Sequence, residues 1–188
     1  MAYKKNDAKN VTSAKPQIGG AVFVAPLETP LPTDATTELN EAFKNLGFVS
    51  DEGLKNNNTA SSKETKAWGG ATVNSTQTEK TDKFQLELIE ALNVDTLKFV
   101  YGDKNVTGTL ETGIKIKAGA EESATQILVI DMILKDGILK RIVVPLAKLT
   151  EMGEISYNDE DGVGYDVTIS AFLDGDGGSH YEYIAKKG

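Results

Sequence analysis

The sequence QILVIDMILKDGILKRIVV, residues 126–144, contains the pattern that decides the fold. Two runs rich in isoleucine, leucine and valine, residues 126–134 and 138–144, are separated by a short polar segment that contains Asp136 and Gly137. An Asp-Gly pair tolerates the positive backbone torsions that a tight turn between antiparallel strands requires. Residues 126–144 are therefore predicted to form a β-hairpin.

Strand patterns recur along the chain. The segment YDVTISAFL, residues 165–173, alternates apolar and polar residues most clearly, and KFQLELIE, residues 83–90, has the same period of two. That period is typical of a strand with one buried face. Weaker strand patterns lie at residues 19–27, 113–118, 154–157 and 181–183. Many short strands without strand–helix–strand units indicate a mainly β fold, either a β-sandwich or a partly closed barrel.

Two short segments have helical periodicity. Leu39, Phe43 and Leu46 are spaced at i, i+4 and i+7, which predicts a helix that begins near Thr36 or Thr37 and stops at Gly47. A second helix is predicted over residues 93–101, with Asn93 as its N-terminal cap and Gly102 at its end. The fold class is therefore mainly β with one or two short helices.

The chain is predicted to have one domain with two polar extensions. Residues 1–18 lack periodicity and are interpreted as a flexible N-terminal arm, and residues 19–188 as a single β domain. Within that domain, residues 50–82 form a polar stretch far longer than an ordinary connection. Trp68, Gly69 and Gly70 mark a hairpin turn at its centre, so we interpret the stretch as a long projecting loop or hairpin arm.

The charge and composition exclude several classes of function. The formal net charge is −8, the acidic residues are dispersed, and Arg141 is the only arginine, so a phosphate-clamping nucleic-acid binder is not expected. There are no cysteines, which excludes disulfides, thiolate metal sites and a thiol nucleophile. No apolar stretch is long enough to span a membrane, and residues 1–16 lack the apolar core of a secretory signal.

Candidate sites for metal binding and catalysis are weak. Asp174 and Asp176 lie in the sequence DGDGG, residues 174–178, and could supply oxygen ligands to calcium. Ala185 stands where an EF-hand-type loop requires its bidentate glutamate, so a glycine-rich turn is the simpler interpretation. His180 is the only histidine, and no serine lies in a nucleophile elbow. Neither catalytic residues nor a cofactor are therefore predicted.

Several segments, read in order, resemble the major tail proteins, or tail tube proteins, of long non-contractile-tailed bacteriophages. The segments that carry the resemblance span most of the chain from about residue 20 onward: AVFVAPLETPLPTD (21–34), FKNLGFVSDEGL (43–54), AWGGATV (67–73), KFQLELIEALNVDTLKFVYG (83–102), RIVVPLAKLTEMGEISY (141–157) and YDVTISAFLDGDGG (165–178). The resemblance implies a small β-sandwich of the tail-tube type with a flanking helix. It also implies a structural virion protein, not an enzyme, that assembles into hexameric rings.

The resemblance further implies partners and a location. The chain would associate with itself in rings and tubes, and with other tail proteins such as the tape measure and tail terminator. It would be assembled in the bacterial host cytoplasm and reside in the virion tail, where DNA passes through the tube without specific binding. The candidates for contact between subunits lie at the tip of the 50–82 arm: Trp68, Gly69, Gly70 and Val73. For Trp68, packing against its own domain is the alternative.

The residues that would face the channel, or lumen, lie on the polar sides of two predicted strands. Gln85 and Glu87 alternate with apolar residues on strand 83–90, and Asp166, Thr168 and Ser170 do so on strand 165–173. The sequence does not choose between these strands, and either polar face could equally lie on the outer surface. An acidic lining would let DNA slide without adhering, because both are negatively charged.

One rival interpretation keeps the β-sandwich but changes the function. A calcium- or carbohydrate-binding module could use Asp174 and Asp176 for the cation and Trp68 for stacking on a sugar. A hydrolase is a distant third, because no nucleophile–base pair is visible in the sequence. Calcium dependence and particle size distinguish the first two interpretations: a binding module stays small, whereas a tube protein forms rings or filaments.

Overall fold

The computed structural model describes residues 5–119 and 122–186 and contains one α-helix and eleven strands within them. The helix α1 spans Val94–Tyr101. The strands are β1 Ala14–Pro16, β2 Val22–Ala25, β3 Lys44–Asn45, β4 Lys55–Lys66, β5 Thr72–Leu88, β6 Val106–Thr107, β7 Lys115–Ile116, β8 Gln126–Leu134, β9 Ile138–Met152, β10 Tyr165–Ala171 and β11 Tyr181–Lys186. Short 3₁₀ turns occupy Ala8–Asn10, Asp103–Asn105 and Lys135–Gly137.

Most strands belong to one antiparallel sheet in the order β3-β2-β8-β9-β10-β5-β4. Strand β9 is 15 residues long, and different neighbours pair along its two halves. Its first half pairs with β11 from Ile138 to Val143, and its second half pairs with β10 from Ala147 to Met152. Strand β9 therefore exchanges one neighbouring strand for another along its length. Residues from both halves of β9 pack in the same main core. This is the mainly β, sandwich-type fold predicted from the sequence, and the sheet does not close into a barrel.

The predicted hairpin at residues 126–144 is confirmed. Asp136 and Gly137 adopt φ values of 58° and 73°, the left-handed conformation that a tight turn requires. The strands that it joins are buried on both faces of the sheet. Leu128, Ile130 and Ile142 point into the main core, and a smaller cluster on the opposite face contains Ala25, Phe43, Ile127, Val129 and Val143.

A buried ion pair crosses this hairpin. Asp131 and Arg141 are directly opposite each other, and the guanidinium binds both carboxylate oxygens at 2.7 and 2.8 Å. Arg141 Nη1 also donates to the backbone oxygens of Asp34 and Thr37, at 3.1 and 2.8 Å. The only arginine of the chain therefore fixes the 34–37 segment over the smaller cluster.

The predicted helix between Thr36 or Thr37 and Leu46 is wrong. The Asp34 carboxylate instead accepts hydrogen bonds from the backbone of Thr36 and Thr37, both at 2.6 Å, and forms a turn. Hydrogen bonds from Thr37 first, and then Thr36, hold the pKa of Asp34 well below its usual range. Phe43 packs in the smaller cluster and Leu46 in the main core. A single helical stripe cannot reach both faces of a sheet, so the segment follows turns and the short strand β3.

Helix α1 confirms the second helix prediction. Asn93 Oδ1 accepts a hydrogen bond from the backbone N–H of Asp95 at 3.0 Å, and Gly102 ends the helix at φ 92°. Thr96 Oγ1 donates to the carbonyl oxygen of Leu46 at 2.7 Å, which ties the helix to the 43–46 segment. Leu97 and Val100 are buried in the main core.

Several strand predictions need correction at their boundaries. Residues 154–157 form no strand, because the last ladder bond of this region joins the Gly153 N–H to Asp166 O and the chain then leaves the sheet. Residues 113–118 form only the two-residue strand β7, whose partner β6 is equally short. Strand β10 ends at Ala171, so Leu173 is exposed rather than part of the apolar face.

The N-terminal arm lies partly outside the described residues. Of residues 1–18, the structure describes 5–18, where β1 pairs with the end of β8 from Ala14↔Leu134 to Pro16↔Met132. All of β1 is exposed, and the flexibility of this arm stays a prediction, as do the domain boundaries. No helix in the described ranges is long and apolar enough to cross a membrane.

Candidate assembly surfaces

The predicted hairpin arm is present, and most of its residues are polar. Strand β4 pairs with β5 from Lys55↔Gln85 to Lys66↔Thr72, and all 12 residues of β4 are exposed. Gly69 and Gly70 form the turn with φ values of 102° and 91°. Because β4 is the last strand of the sheet and is hydrogen-bonded to β5 alone among the described strands, its other edge is unpaired.

The arm tip carries the candidates for contact between subunits. Trp68 is fully exposed and Val73 is 63% exposed, while Gly69 and Gly70 lie between them in the turn. Trp68 therefore does not pack against its own domain, which was the alternative interpretation. A large aromatic side chain left in water on a polar arm is typical of a binding surface.

A buried cluster lies at the base of the arm, and the sequence analysis missed it. Asp82 of β5 is 3% exposed. Its Oδ2 accepts a hydrogen bond from Ser179 Oγ at 2.6 Å and lies 2.5 Å from His180 Nδ1, and its Oδ1 accepts from Asn56 Nδ2 at 2.8 Å. Because a carboxylate can only accept, the proton of His180 in this contact is on Nδ1. The cluster thus joins both strands of the arm to the segment before β11.

The electrostatics of this cluster favour the ionised carboxylate. Burial alone would raise the pKa of Asp82, but hydrogen bonds from Ser179, Asn56 and His180 outweigh burial and lower it. Serine, histidine and aspartate here do not form a hydrolase triad. Ser179 donates to the aspartate instead of the histidine, and the histidine Nε2 lies 3.9 Å from Glu182. A catalytic serine would need to donate to that Nε2.

The Asp174 carboxylate is occupied by its own turn. Its Oδ1 accepts from the backbone N–H groups of Asp176 and Gly178 at 3.0 and 2.9 Å, and its Oδ2 accepts from the Tyr181 hydroxyl at 2.7 Å. The hydrogen bond from Tyr181 is the main reason that the pKa of Asp174 is lowered. No group of three or more histidine or acidic residues that could hold a metal ion occurs among residues 5–119 and 122–186. Calcium binding at Asp174 and Asp176 stays untested.

The five lumen-facing candidates lie together on one polar face. Strands β5 and β10 are neighbours, with Asp166 opposite Glu87 and Thr168 opposite Gln85. Gln85 Nε2 donates to Thr168 Oγ1 at 3.4 Å, and Ser170 continues the row toward Thr150 of β9, at 2.9 Å between hydroxyl oxygens. Asp166 and Gln85 are exposed, whereas Thr168 is only 7% exposed beneath its neighbours. The candidates on β5 and those on β10 therefore share one face of the sheet, so a channel that is lined by one strand is lined by the other as well.

Charge is distributed unevenly along this polar face. Near β9 its lysines are paired, since Lys83 lies 2.7 Å from Glu151 and Lys148 lies 2.6 Å from Glu122. At the other end, Glu87 and Asp166 are directly opposite, and Glu52 lies on the same surface. The only lysine there, Lys55, already pairs with Glu52. The face therefore has an acidic end, where like charges oppose each other across the strands at some cost to stability.

These surfaces are those of a structural β subunit, with a projecting hairpin, an unpaired strand edge and a polar sheet face. The family described as "Phage tail tube protein" matches residues 6–188, and the chain belongs to that family. Membership places the protein in the virion tail and implies that it assembles with itself or with other tail proteins. A search of curated proteins found no significant match.

Proposed function

We propose that the chain assembles into stacked hexameric rings that form the tail tube, the conduit through which DNA reaches the host. The observation that carries this proposal is the polar face formed by Gln85, Glu87, Asp166, Thr168 and Ser170. Its reverse side carries Phe84, Leu86, Val167 and Ile169 in the main core. A sheet with one face in the subunit core and one polar face is suited to line a channel.

The charge of the face supports its assignment to the lumen. DNA carries one negative charge per roughly 1.7 Å of helix axis, and proteins bind it tightly when lysines and arginines release its counterions. The acidic end of the face carries Glu52, Glu87 and Asp166 with Lys55 as its one cation. Such a wall repels phosphates, so DNA passes without specific binding.

The unpaired edge of β4 supports self-association. A long exposed strand edge is a template for pairing with another chain, and a closed ring removes that edge. The arm extends for 12 residues of β4, or about 40 Å at roughly 3.3 Å per residue. The base of β4 pairs with residues 83–85 of the core sheet, and the rest of its length is available to reach a neighbour in the same ring or the next one. The tape measure and tail terminator are the other expected partners, and assembly takes place in the host cytoplasm.

Electron microscopy of the purified chain at rising concentration tests the assembly. The expected result is rings with sixfold symmetry that stack into tubes. A chain that remains monomeric at every concentration would contradict the proposal. Assembly of the chain in the absence of tape measure and terminator would also show that self-association requires no other tail protein.

The lumen assignment has its own test. The double variant Glu87→Lys with Asp166→Lys should form tubes, because both positions lie on the polar face and neither belongs to the tip of the arm. Particles built with it should deliver DNA more slowly and lose infectivity. Glu38→Lys with Glu41→Lys, at exposed positions outside strands β5 and β10, is the matched control and should behave as the parent. Equal infectivity of both double variants would remove these residues from the lumen.

A further inference from the structure

An open groove lies between helix α1, the end of β2 and the start of β8. It encloses about 600 Å³. Its walls are largely apolar, and Leu27 remains 44% exposed there. The lining residues that matter for its chemistry are Leu27, Glu28, Asp95, Phe99, Ala124 and Gln126. A groove of this size accepts one large side chain together with its neighbours.

One residue that lines the groove, Gln126, has a hydrogen-bond acceptor without a partner. The side-chain oxygen Oε1 of Gln126 is buried, and within the described part of the chain no donor bonds to it. A buried acceptor without a donor is destabilising, and native structures contain few of them. The terminal amide of glutamine turns readily about its last torsion, and a half-turn exchanges Oε1 with Nε2, so the oxygen can be presented to a donor in the groove.

The arm tip has the complementary chemistry. Trp68 is the only tryptophan of the chain and is fully exposed. Its indole combines a large apolar surface with a single N–H donor and no acceptor. Val73, also exposed, lies just beyond the turn and extends the apolar surface of the tip.

The charges around the two surfaces are also complementary. Between residues 63 and 73, two of the three charged residues are lysines, Lys63 and Lys66. Three of the five charged residues that line the groove are acidic. One of these acids, Asp103, already pairs with Lys98 at 2.9 Å. Glu28, Asp95 and Lys44 remain, so the groove keeps one net negative charge that attracts the basic tip.

We propose that Trp68 of one copy inserts into the groove of a neighbouring copy and donates its indole N–H to the side-chain oxygen of Gln126. The inference rests on the proposed assembly and names the contact that the arm makes. Tip and groove are different surfaces of the same chain, so the contact is head-to-tail and each copy offers one of each. Such a contact repeats from copy to copy and ends either in a closed ring or in an extended stack.

Fluorescence of the only tryptophan tests the insertion directly. Trp68 emission should shift to shorter wavelength when the parent assembles, and a soluble quencher should lose access to it. Trp68→Ala should raise the concentration needed for assembly by roughly tenfold or more, as expected for a buried aromatic anchor. Tubes whose Trp68 emission equals that of the monomer would overturn the inference and leave the proposed function intact.

The variant Gln126→Leu separates a binding role from a structural one. It removes an unpaired buried acceptor, so the free subunit should melt at the same temperature or higher. It also leaves the inserted indole N–H without a partner, so the concentration needed for assembly should rise roughly two- to tenfold. If Gln126 had only a structural role, the variant subunit would melt at the same temperature or higher and would assemble at the same concentration or lower. That outcome would contradict the hydrogen bond.

Cross-linking locates the contact, and the absence of cysteine in the parent makes the result unambiguous. Val73→Cys protein mixed with Ala124→Cys protein should form disulfide-linked dimers during assembly. Val73→Cys mixed with Asp161→Cys, an exposed position outside the groove lining, is the control and should form few. Equal cross-linking at both positions would overturn the inference. A parent that assembles under no condition would contradict the proposed function and this contact together.

Discussion

Two hairpins of this molecule share antiparallel pairing and a turn through glycine, but one is buried and the other is exposed to solvent. The β8–β9 hairpin and the β4–β5 arm are both antiparallel and both turn through glycine at positive φ. Strand β8 has no exposed residue, whereas every residue of β4 is exposed. Burial of one large aliphatic side chain contributes about 1.5–3 kcal/mol, and the arm lacks that contribution along β4. Turn chemistry therefore determines that a hairpin forms, and burial determines how stable it is.

The comparison implies different sensitivities to mutation. An isolated two-stranded hairpin is marginally stable in water. The arm is stabilised by its ladder, by polar pairs such as Thr59 with Thr81, whose hydroxyl oxygens lie 2.9 Å apart, and by the Asp82 cluster at its base. Substitutions should therefore cost most stability in the β8–β9 hairpin, less at the base of the arm and least along it.

The largest effect is expected at the buried ion pair. Arg141→Met leaves the Asp131 carboxylate buried without a counter-ion and frees the 34–37 segment, so stability should fall by about 3–5 kcal/mol. Urea unfolding measures this loss. Lys63→Met in the arm is the matched control and should change stability by less than about 0.5 kcal/mol. Adding Asp131→Leu to Arg141→Met should recover part of the loss, and equal costs for Arg141→Met and Lys63→Met would refute the contrast between the hairpins.

An intermediate effect is expected at the base of the arm. Asp82→Asn retains the shape of the side chain but removes the charge that accepts from Ser179, Asn56 and His180, and should cost about 1–3 kcal/mol. Hydrogen exchange of β4 should increase as the arm loses its anchor. Asp161→Asn, at an exposed turn, is the control. Unchanged exchange in β4 would show that the cluster does not hold the arm.

The contribution of the Asp82 cluster to stability should decrease in acid. Since the pKa of Asp82 is lowered in the folded protein, its ionised form adds stability above the unfolded pKa of about 3.9. That contribution is lost as the pH falls below this value toward the folded pKa. The difference in stability between the parent and Asp82→Asn should therefore shrink as the pH falls from 4 to 2. A difference that grows over that range would contradict the assignment.

A smaller effect on stability is expected from shortening the arm. Replacing residues 60–80 with Asn-Gly joins Thr59 to Thr81, which are opposite each other in the ladder, and retains the Asn56–Asp82 hydrogen bond. The subunit should unfold within about 1 kcal/mol of the parent, because the apolar core lies elsewhere. The same variant should fail to form tubes. Normal tubes from the shortened chain would remove the arm from assembly.

The smallest effect is expected at the acidic turn. Asp174→Asn with Asp176→Asn retains an acceptor for the backbone N–H groups of the turn, so urea unfolding should show little change in stability. Calcium should leave the melting temperature of parent and variant unchanged. A calcium-dependent rise of several degrees in the parent that is lost in the variant would instead favour the binding-module interpretation.

Local chemistry explains which parts of the fold could be predicted. Asp136-Gly137, Gly69-Gly70 and the Asn93 cap each act within a few residues, so both hairpins and α1 are readable from the sequence. The predicted 36–46 helix is wrong because Phe43 and Leu46 are buried on different faces of the sheet. The spacing of apolar residues shows only that they recur along the chain, and not which face of the sheet each one reaches. The turn at Asp34 also depends on Arg141, which is distant in sequence and donates to the Asp34 backbone oxygen.

The site shows the same division between local and distant information. Alternation identifies Glu87 and Asp166 as polar positions of their strands, but only the sheet order places them opposite each other. The Asp82 cluster joins residues 97 and 98 positions apart, and no pattern near any of them indicates the contact. In the arm, a polar pattern on both faces specifies register weakly, so the register shifts at Ser61/Ser62 and Thr65/Lys66 could not be predicted.

Strand β5 runs 17 residues without interruption from the arm into the core, about 56 Å at roughly 3.3 Å per residue. Its last part pairs with β10 from Ser170↔Lys83 to Tyr165↔Leu88. A pull on the tip along the strand therefore reaches the core as shear, and all ladder bonds of this pairing share the load at once. A sideways pull would peel them apart one after another. The subunit should accordingly resist tension along the arm far better than bending across it.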